Sequence, residues 1–146
     1  MNFIAHENDW SWGKSIKLIS TNGVACVEMS FEKNNPGVCY ISGLSVIPEY
    51  RRQGYATALM SICEQMCEER AIFRIDLNSV LTDYVMDFYH KLGYKDIEPG
   101  EEVMKMYKFI GDCGKTLTSF VNRIKEQGDI PEDIQKVIND HFWEML

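Results

Sequence analysis

No run of apolar residues approaches the roughly 20 needed to cross a bilayer, and the opening MNFIAHENDW has neither a basic cluster nor an apolar core of a secretory leader. These absences predict a cytoplasmic chain without a membrane span. The five cysteines are scattered and form no CxxC pair. Cys63 and Cys67 stand one helical turn apart, yet no histidine or second cysteine pair completes a ligand set, so reduced buried thiols and no metal are expected. Histidine is scarce: His6, His90 and His141 are the full set, and each is expected at the surface. Basic charge is also short, with 15 Lys and Arg against 22 Asp and Glu and a net charge of −7. That balance argues against non-specific nucleic-acid binding and mildly favours cationic small partners. There is no GxGxxG. The triplet Gly114-Lys115-Thr116 looks like the end of a Walker A loop, but Phe109 stands where that motif needs its first glycine.

What remains is an ordinary globular composition over 146 residues, 45% apolar and 25% charged, which suits one core. No internal repeat or low-complexity segment interrupts it. Residues 15–20 and 24–32 read as strands around a Thr21-Asn22-Gly23 turn. In the second, Ala25, Val27, Met29 and Phe31 alternate with polar or small neighbours, a period of two. After the NNPG turn at 34–37, the segment 38–47 is apolar on nearly both faces, as a central strand is. Gly43 in its middle marks a bulge or a close backbone approach. From Tyr55 to about Glu69 the period becomes helical, with Ala56, Leu59, Met60, Cys63, Met66 and Cys67 on one face. A strand at 73–78 follows. Leu81, Val85, Phe88 and Leu92 then line a second helix with Thr82 at its N-cap and Gly93 as its stop. Residues 94–98 and 102–110 form a hairpin around Pro99-Gly100. The order βββαβαββ predicts an α/β (α+β) fold with a mixed sheet.

Within this order, IPEYRRQGYATALM (47–60) places Arg51 and Arg52 at a helix entrance. The positive end of the helix dipole repels them there. A pyrophosphate would resolve the conflict. Free amides of a first helical turn form an anion site, Gly54 lets a ligand approach the backbone, and arginines make charge-assisted bonds to phosphate oxygens. The competing reading is a solvated loop whose arginines pair with Glu49 or another surface acid. The apolar strand before the loop and the helix after it favour the anion site.

These residues carry a resemblance to the GNAT (Gcn5-related N-acetyltransferase) superfamily. LSVIPEYRRQGYATALM (44–60) is similar to its strand–turn–helix signature, with the [R/Q]xxGx[G/A] core at Arg51-Arg52-Gln53-Gly54-Tyr55-Ala56. FYHKLGYK (88–95) is similar to a second element, and the two together cover roughly residues 15–110. The resemblance implies a mixed, mostly antiparallel sheet with flanking helices and an acetyl-CoA-dependent acyltransferase with an amine acceptor, without metal. It implies that the backbone of Leu44, Ser45 and Val46 holds the pantetheine arm and that Arg51, Arg52, Gln53, Gly54, Tyr55 and Ala56 hold the pyrophosphate. Tyr89 aligns with a tyrosine near the thioester sulfur. Glu28, Glu32 and Asp76 are acids that stand as candidates to take the amine proton. The alternative function is a non-catalytic acyl-CoA-binding or protein-interaction module.

The chain also departs from the family pattern. Two helices usually follow the first strand; here residues 1–14 allow only a short strand or a loop. Trp10 and Trp12 stand as a replacement aromatic wall for the acceptor site or as a cap on the sheet edge. Thr82 and Val85 replace residues that are commonly Asn and Ala. We therefore expect an acetyltransferase domain at 1–110. Residues 111–146 are expected to form a two-helix C-terminal extension, packed on the same domain or exchanged between the copies of a homodimer. Leu117, Phe120, Val121 and Ile124 make the stripe of one helix, and Ile134, Val137, Ile138, Phe142 and Leu146 that of the other.

Overall fold

The computed structural model describes residues 1–111. The expected C-terminal helices, the Gly114 triplet and His141 lie outside the described residues. Seven strands and two helices follow one another as β1 (Phe3–Trp10), β2 (Gly13–Ser20), β3 (Ala25–Glu32), β4 (Val38–Val46), α1 (Tyr55–Glu69), β5 (Arg74–Val80), α2 (Asp83–Lys91), β6 (Lys95–Pro99) and β7 (Val103–Phe109). A single 3₁₀ turn, Pro48–Tyr50, links β4 to the loop before α1. The strands form one sheet in the order β1-β2-β3-β4-β5-β7-β6. Among neighbouring strands only β4 and β5 run parallel.

The expected alternation in β3 holds over Ala25, Val27 and Met29, which are buried while Cys26, Glu28 and Ser30 are not; Phe31, expected to continue it, is half-buried. The three buried residues pack with Cys39 and Ile41 of β4 and Ile75 and Leu77 of β5 against Leu59, Met60, Cys63 and Cys67 of α1. Each fully buried Leu, Ile or Met contributes about 1.5–3 kcal/mol relative to exposure. Both helices lie on this face. Tyr94, just past α2, packs in the same cluster, and Lys108 of β7 joins it by an ion pair to Glu64 of α1. Among the described residues no helix covers the opposite face. The end of α2 is set by paired bonds, Gly93 N–H to His90 O at 3.0 Å and Tyr94 N–H to Tyr89 O at 3.1 Å, a Schellman arrangement. Thr82 holds the N-cap position as expected, but its side chain makes no capping bond.

β2 begins two residues earlier than expected, at Gly13, and two other strands differ as well. β1 spans eight residues and pairs with β2 along its whole length, from Phe3↔Ser20 to Trp10↔Gly13. Between them Ser11 and Trp12 make a tight turn where the family pattern has two helices. β5 runs two residues further than the periodicity suggested, to Val80, because β7 pairs with it to that point.

Candidate active site

The site begins where the parallel ladder ends. β4 and β5 pair from Val38↔Arg74 to Ile41↔Leu77 and no further. β4 continues to Val46 on the β3 side and β5 to Val80 on the β7 side. The two strands therefore part, and the backbone of β4 beyond Ile41 has no strand partner on the β5 side. A bulge drives the parting. Cys26 and Glu28 of β3 face Ser45 and Ser42 of β4, so β4 carries one extra residue there. Gly43 sits in the bulge at φ 64°, a conformation that side chains with a Cβ rarely adopt. The expected bulge at this glycine is present.

The split opens into a cleft of about 380 Å³. Leu44, Ser45 and Val46 form one wall, and Tyr84, Val85, Phe88 and Tyr89 of α2 the other. The floor is the loop and first turn of α1: Tyr50, Arg51, Arg52, Gly54, Tyr55, Ala56 and Thr57. Of the residues expected at this site, Gln53 alone does not line the cleft; its side-chain amide points back to the Glu49 carbonyl at 3.5 Å. Tyr50, Thr57, Tyr84 and Phe88 were not singled out as site residues. Tyr84 and Phe88 share a helix face with Val85 and Tyr89, and that spacing from Tyr89 is the signal that marks them.

The loop has the electrostatics of an anion site. Gly54 holds the N-cap position of α1 and is left-handed at φ 89°, with no side-chain capping bond and no acid in the helix's first turn. The first intrahelical bond is Ala58 N–H to Gly54 O at 2.9 Å, so the amides before it stay available. Arg52 also adopts a left-handed φ, 63°. Such turns aim successive N–H groups into one concavity. Arg51 Nε donates to Val46 O at 3.0 Å, which ties the arginine to the end of the split strand and leaves its terminal nitrogens free to turn outward. The Tyr55 hydroxyl accepts from Asn22 Nδ2 at 3.0 Å, linking the β2–β3 turn to the same loop.

Tyr89 is buried, and burial raises its phenol above the usual tyrosine range. It therefore holds its proton at neutral pH and acts as a donor. The candidate acids stand elsewhere. Asp76 accepts from Arg74 Nη2 at 2.8 Å on the face away from the helices. Glu28 and Glu32 are on β3 and do not line the cleft. His90 bonds to Asp96 at 2.7 Å on the exposed side of α2, and His6 is exposed, as expected. Trp10 and Trp12 stack with centroids 6.4 Å apart, and Trp10 Nε1 donates to Ser15 Oγ. The register places this pair at the end of the sheet opposite the split, beside Gly13↔Glu32. The aromatic wall is thus excluded for them; they brace the β1–β2 turn. The described residues contain no His, Cys, Asp and Glu cluster that would seat a metal.

Residues 10–94 match the model of the acetyltransferase (GNAT) family, and the chain belongs to that family. Solved structures share the fold. The ribosomal-protein-S18-alanine N-acetyltransferase of Escherichia coli is 17% identical with a TM-score of 0.56, over 66% of this chain and 68% of that one. The PaiA N-acetyltransferase of Thermoplasma acidophilum, solved in complex with coenzyme A, is 16% identical with a TM-score of 0.57, over 65% of this chain and 59% of that one. Ard1 of Thermoplasma volcanium is 18% identical with a TM-score of 0.56, over 67% and 71%.

Proposed function

We propose that the protein transfers an acetyl group from acetyl-CoA to a primary amine by direct attack in a ternary complex, and that residues 1–110 carry this activity. The observation that carries the reading is the split between β4 and β5 running directly into an uncapped helix N-terminus flanked by two arginines. A diphosphate fits that N-terminus, where Arg51, Arg52 and the amides of the first turn of α1 converge. The backbone of Leu44, Ser45 and Val46, which has no strand partner on the β5 side, suits an amide-bearing arm laid along it like a strand. The N–H of Val46 is then positioned to polarise the thioester oxygen.

Tyr89 stands across the cleft from that strand, protonated. A phenol giving its proton fully to a thiolate climbs about 2 kcal/mol on ordinary values. Tyr89 therefore serves as a hydrogen-bond donor to the departing sulfur, with the proton passing late. Holding both substrates in register supplies much of the acceleration. The test is thiol titration with acetyl-CoA and a panel of primary amines. Release of CoA that depends on the amine supports the reading. Tight acetyl-CoA binding with no release across the panel supports a binding module instead.

A further inference from the structure

The face of the sheet away from α1 and α2 is wet in one part and dry in another. Cys39, Ile75, Leu77 and Met106 point into the core under the helices. Their strand neighbours therefore point the other way, and register sets them in ranks: Val38↔Arg74↔Phe109, then Tyr40↔Asp76↔Tyr107. Tyr40 and Tyr107 thus stand on the two sides of Asp76, each flanked by strands. Tyr40, whose hydroxyl accepts a hydrogen bond from Asn78 Nδ2 at 3.1 Å, is 38% exposed. Tyr107 is only 7% exposed and Val38 8%, and neither belongs to the core cluster under the helices. The Arg74 side chain, ion-paired to Asp76 at 2.8 Å, is 11% exposed. Strand neighbours alone leave Tyr40 wet, so they do not account for a dry Tyr107 in the same rank. A sheet face that is shielded in this way has a second layer over it, and among the described residues no helix supplies one.

The chain leaves the described residues beside this patch. Phe109 ends β7 opposite Arg74, Ile110 N–H donates to Phe73 O at 2.9 Å, and Gly111 takes a left-handed φ of 67° that lets the chain turn sharply. Residues 112–146 follow, and their first apolar stripe at helical spacing is Leu117, Phe120, Val121 and Ile124. We propose that this stripe of the same chain seats on Val38, Arg74, Asp76, Tyr107 and Phe109 and forms the second layer on that face. Reach permits it. Six residues from Gly111 to Leu117 span up to about 20 Å, and the patch is two strand spacings wide, about 10 Å. A tether that short sets an effective concentration of order millimolar, which a second copy matches only at millimolar protein. Charge permits it as well: Arg74 and Asp76 are neutral as a pair, so an apolar stripe laid over them buries no net charge.

The experiment puts the photoreactive residue p-benzoylphenylalanine in place of Phe109 in the full chain. An equal mixture of light-nitrogen and heavy-nitrogen protein is irradiated, and the cross-linked peptides are weighed. Cross-links into residues 112–146 that stay within one isotope support the proposal. Cross-links that mix the isotopes overturn it in favour of exchange between copies, and an absence of cross-links into 112–146 overturns it outright. A second measurement uses full-length variants. Leu117→Asp combined with Phe120→Asp should lower the melting temperature by about 5–10 °C. Ser119→Asp falls on the opposite side of the stripe and should shift it by less than about 1 °C. An unchanged melting temperature in the double variant, or an equal fall with Ser119→Asp, overturns the proposal. If the double variant does not fold, the cross-linking decides. Neither readout involves acetyl-CoA, so the outcome is independent of what the cleft binds.

Discussion

Tyr89 meets Tyr94 edge-on, with ring centroids 6.0 Å apart and planes at 74°. Phe88 approaches Tyr89 at 5.2 Å in a second edge contact. The phenol is thus clamped in place before any ligand arrives. Such pairs contribute about 0.5–1.5 kcal/mol beyond their burial. Tyr89→Phe keeps the clamp and removes only the donor. We expect kcat to fall by about 10- to 100-fold, with acetyl-CoA affinity and melting temperature unchanged. Retention of full kcat would remove Tyr89 from the chemistry.

Tyr94 makes the complementary test. Its hydroxyl is buried and has no hydrogen-bond partner among the described residues, and burial raises its phenol well above the usual range. Tyr94→Phe removes an unsatisfied polar atom and leaves the ring that braces Tyr89. Urea unfolding should show a gain of about 1 kcal/mol, with turnover unaltered. A loss of stability would mean the hydroxyl has a partner.

Gly54 places two demands on one position. Its φ of 89° is strained for any residue with a Cβ, although the space around it is open apart from Met1 Cε at 3.7 Å. Gly54→Ala should therefore cost about 1–2 kcal/mol of stability from backbone strain alone. It should also weaken acetyl-CoA binding in calorimetry, because the new methyl group sits where the phosphates approach. Intact affinity would show that the diphosphate is held elsewhere.

The arginines separate from the rest of the site by choice of donor. Arg51→Ala combined with Arg52→Ala should weaken acetyl-CoA by about 2 kcal/mol or more, the scale of charged hydrogen bonds. Acetyl-pantetheine has no phosphates, so its kcat/KM should be the same for the variant and the wild type. An equal loss with both donors would mean the arginines shape the strand through the Arg51 bond to Val46.

Cys63 sets an alkaline limit. Burial, then the neighbouring Cys67 and Glu64, push its thiol from 9.0 up to about 12. The folded state holds this proton more tightly than the unfolded state. The associated stability is complete below pH 9.0 and is lost as pH rises toward about 12. This group alone gives a slope of about 1.4 kcal/mol per pH unit in that window. Denaturant midpoints measured in reductant should fall above pH 9, and Cys63→Ala should flatten the fall. An identical slope in the variant would assign it to the other buried groups, Cys39 and the tyrosines.

Much of this architecture is legible in the residues. The alternation of β3, the helical stripe of α1 and the glycine inside β4 each state a local rule that the fold obeys. The loop and helix entrance at 48–56 are legible for the same reason, since adjacent residues make them. β1 is not. FIAHENDW has no period-two pattern, because it is an exposed edge strand whose form comes from pairing with β2. The two readings of Trp10 and Trp12 could not be separated locally, because the choice depends on which end of the sheet their turn occupies, and register decides that. Tyr40 and Asn78 are separated by 38 positions and meet only across the parallel ladder. No local pattern announces such a pair.

The parting of β4 from β5 has a cost outside catalysis. A strand rim inside the sheet invites extended backbone, whether a thioester arm or a stray peptide. An occupant that fills the seam would complete the ladder, so the empty protein should be the easier one to melt and the more readily clipped or clumped. Occupancy by its own donor would then guard the protein's shape as well as start its reaction.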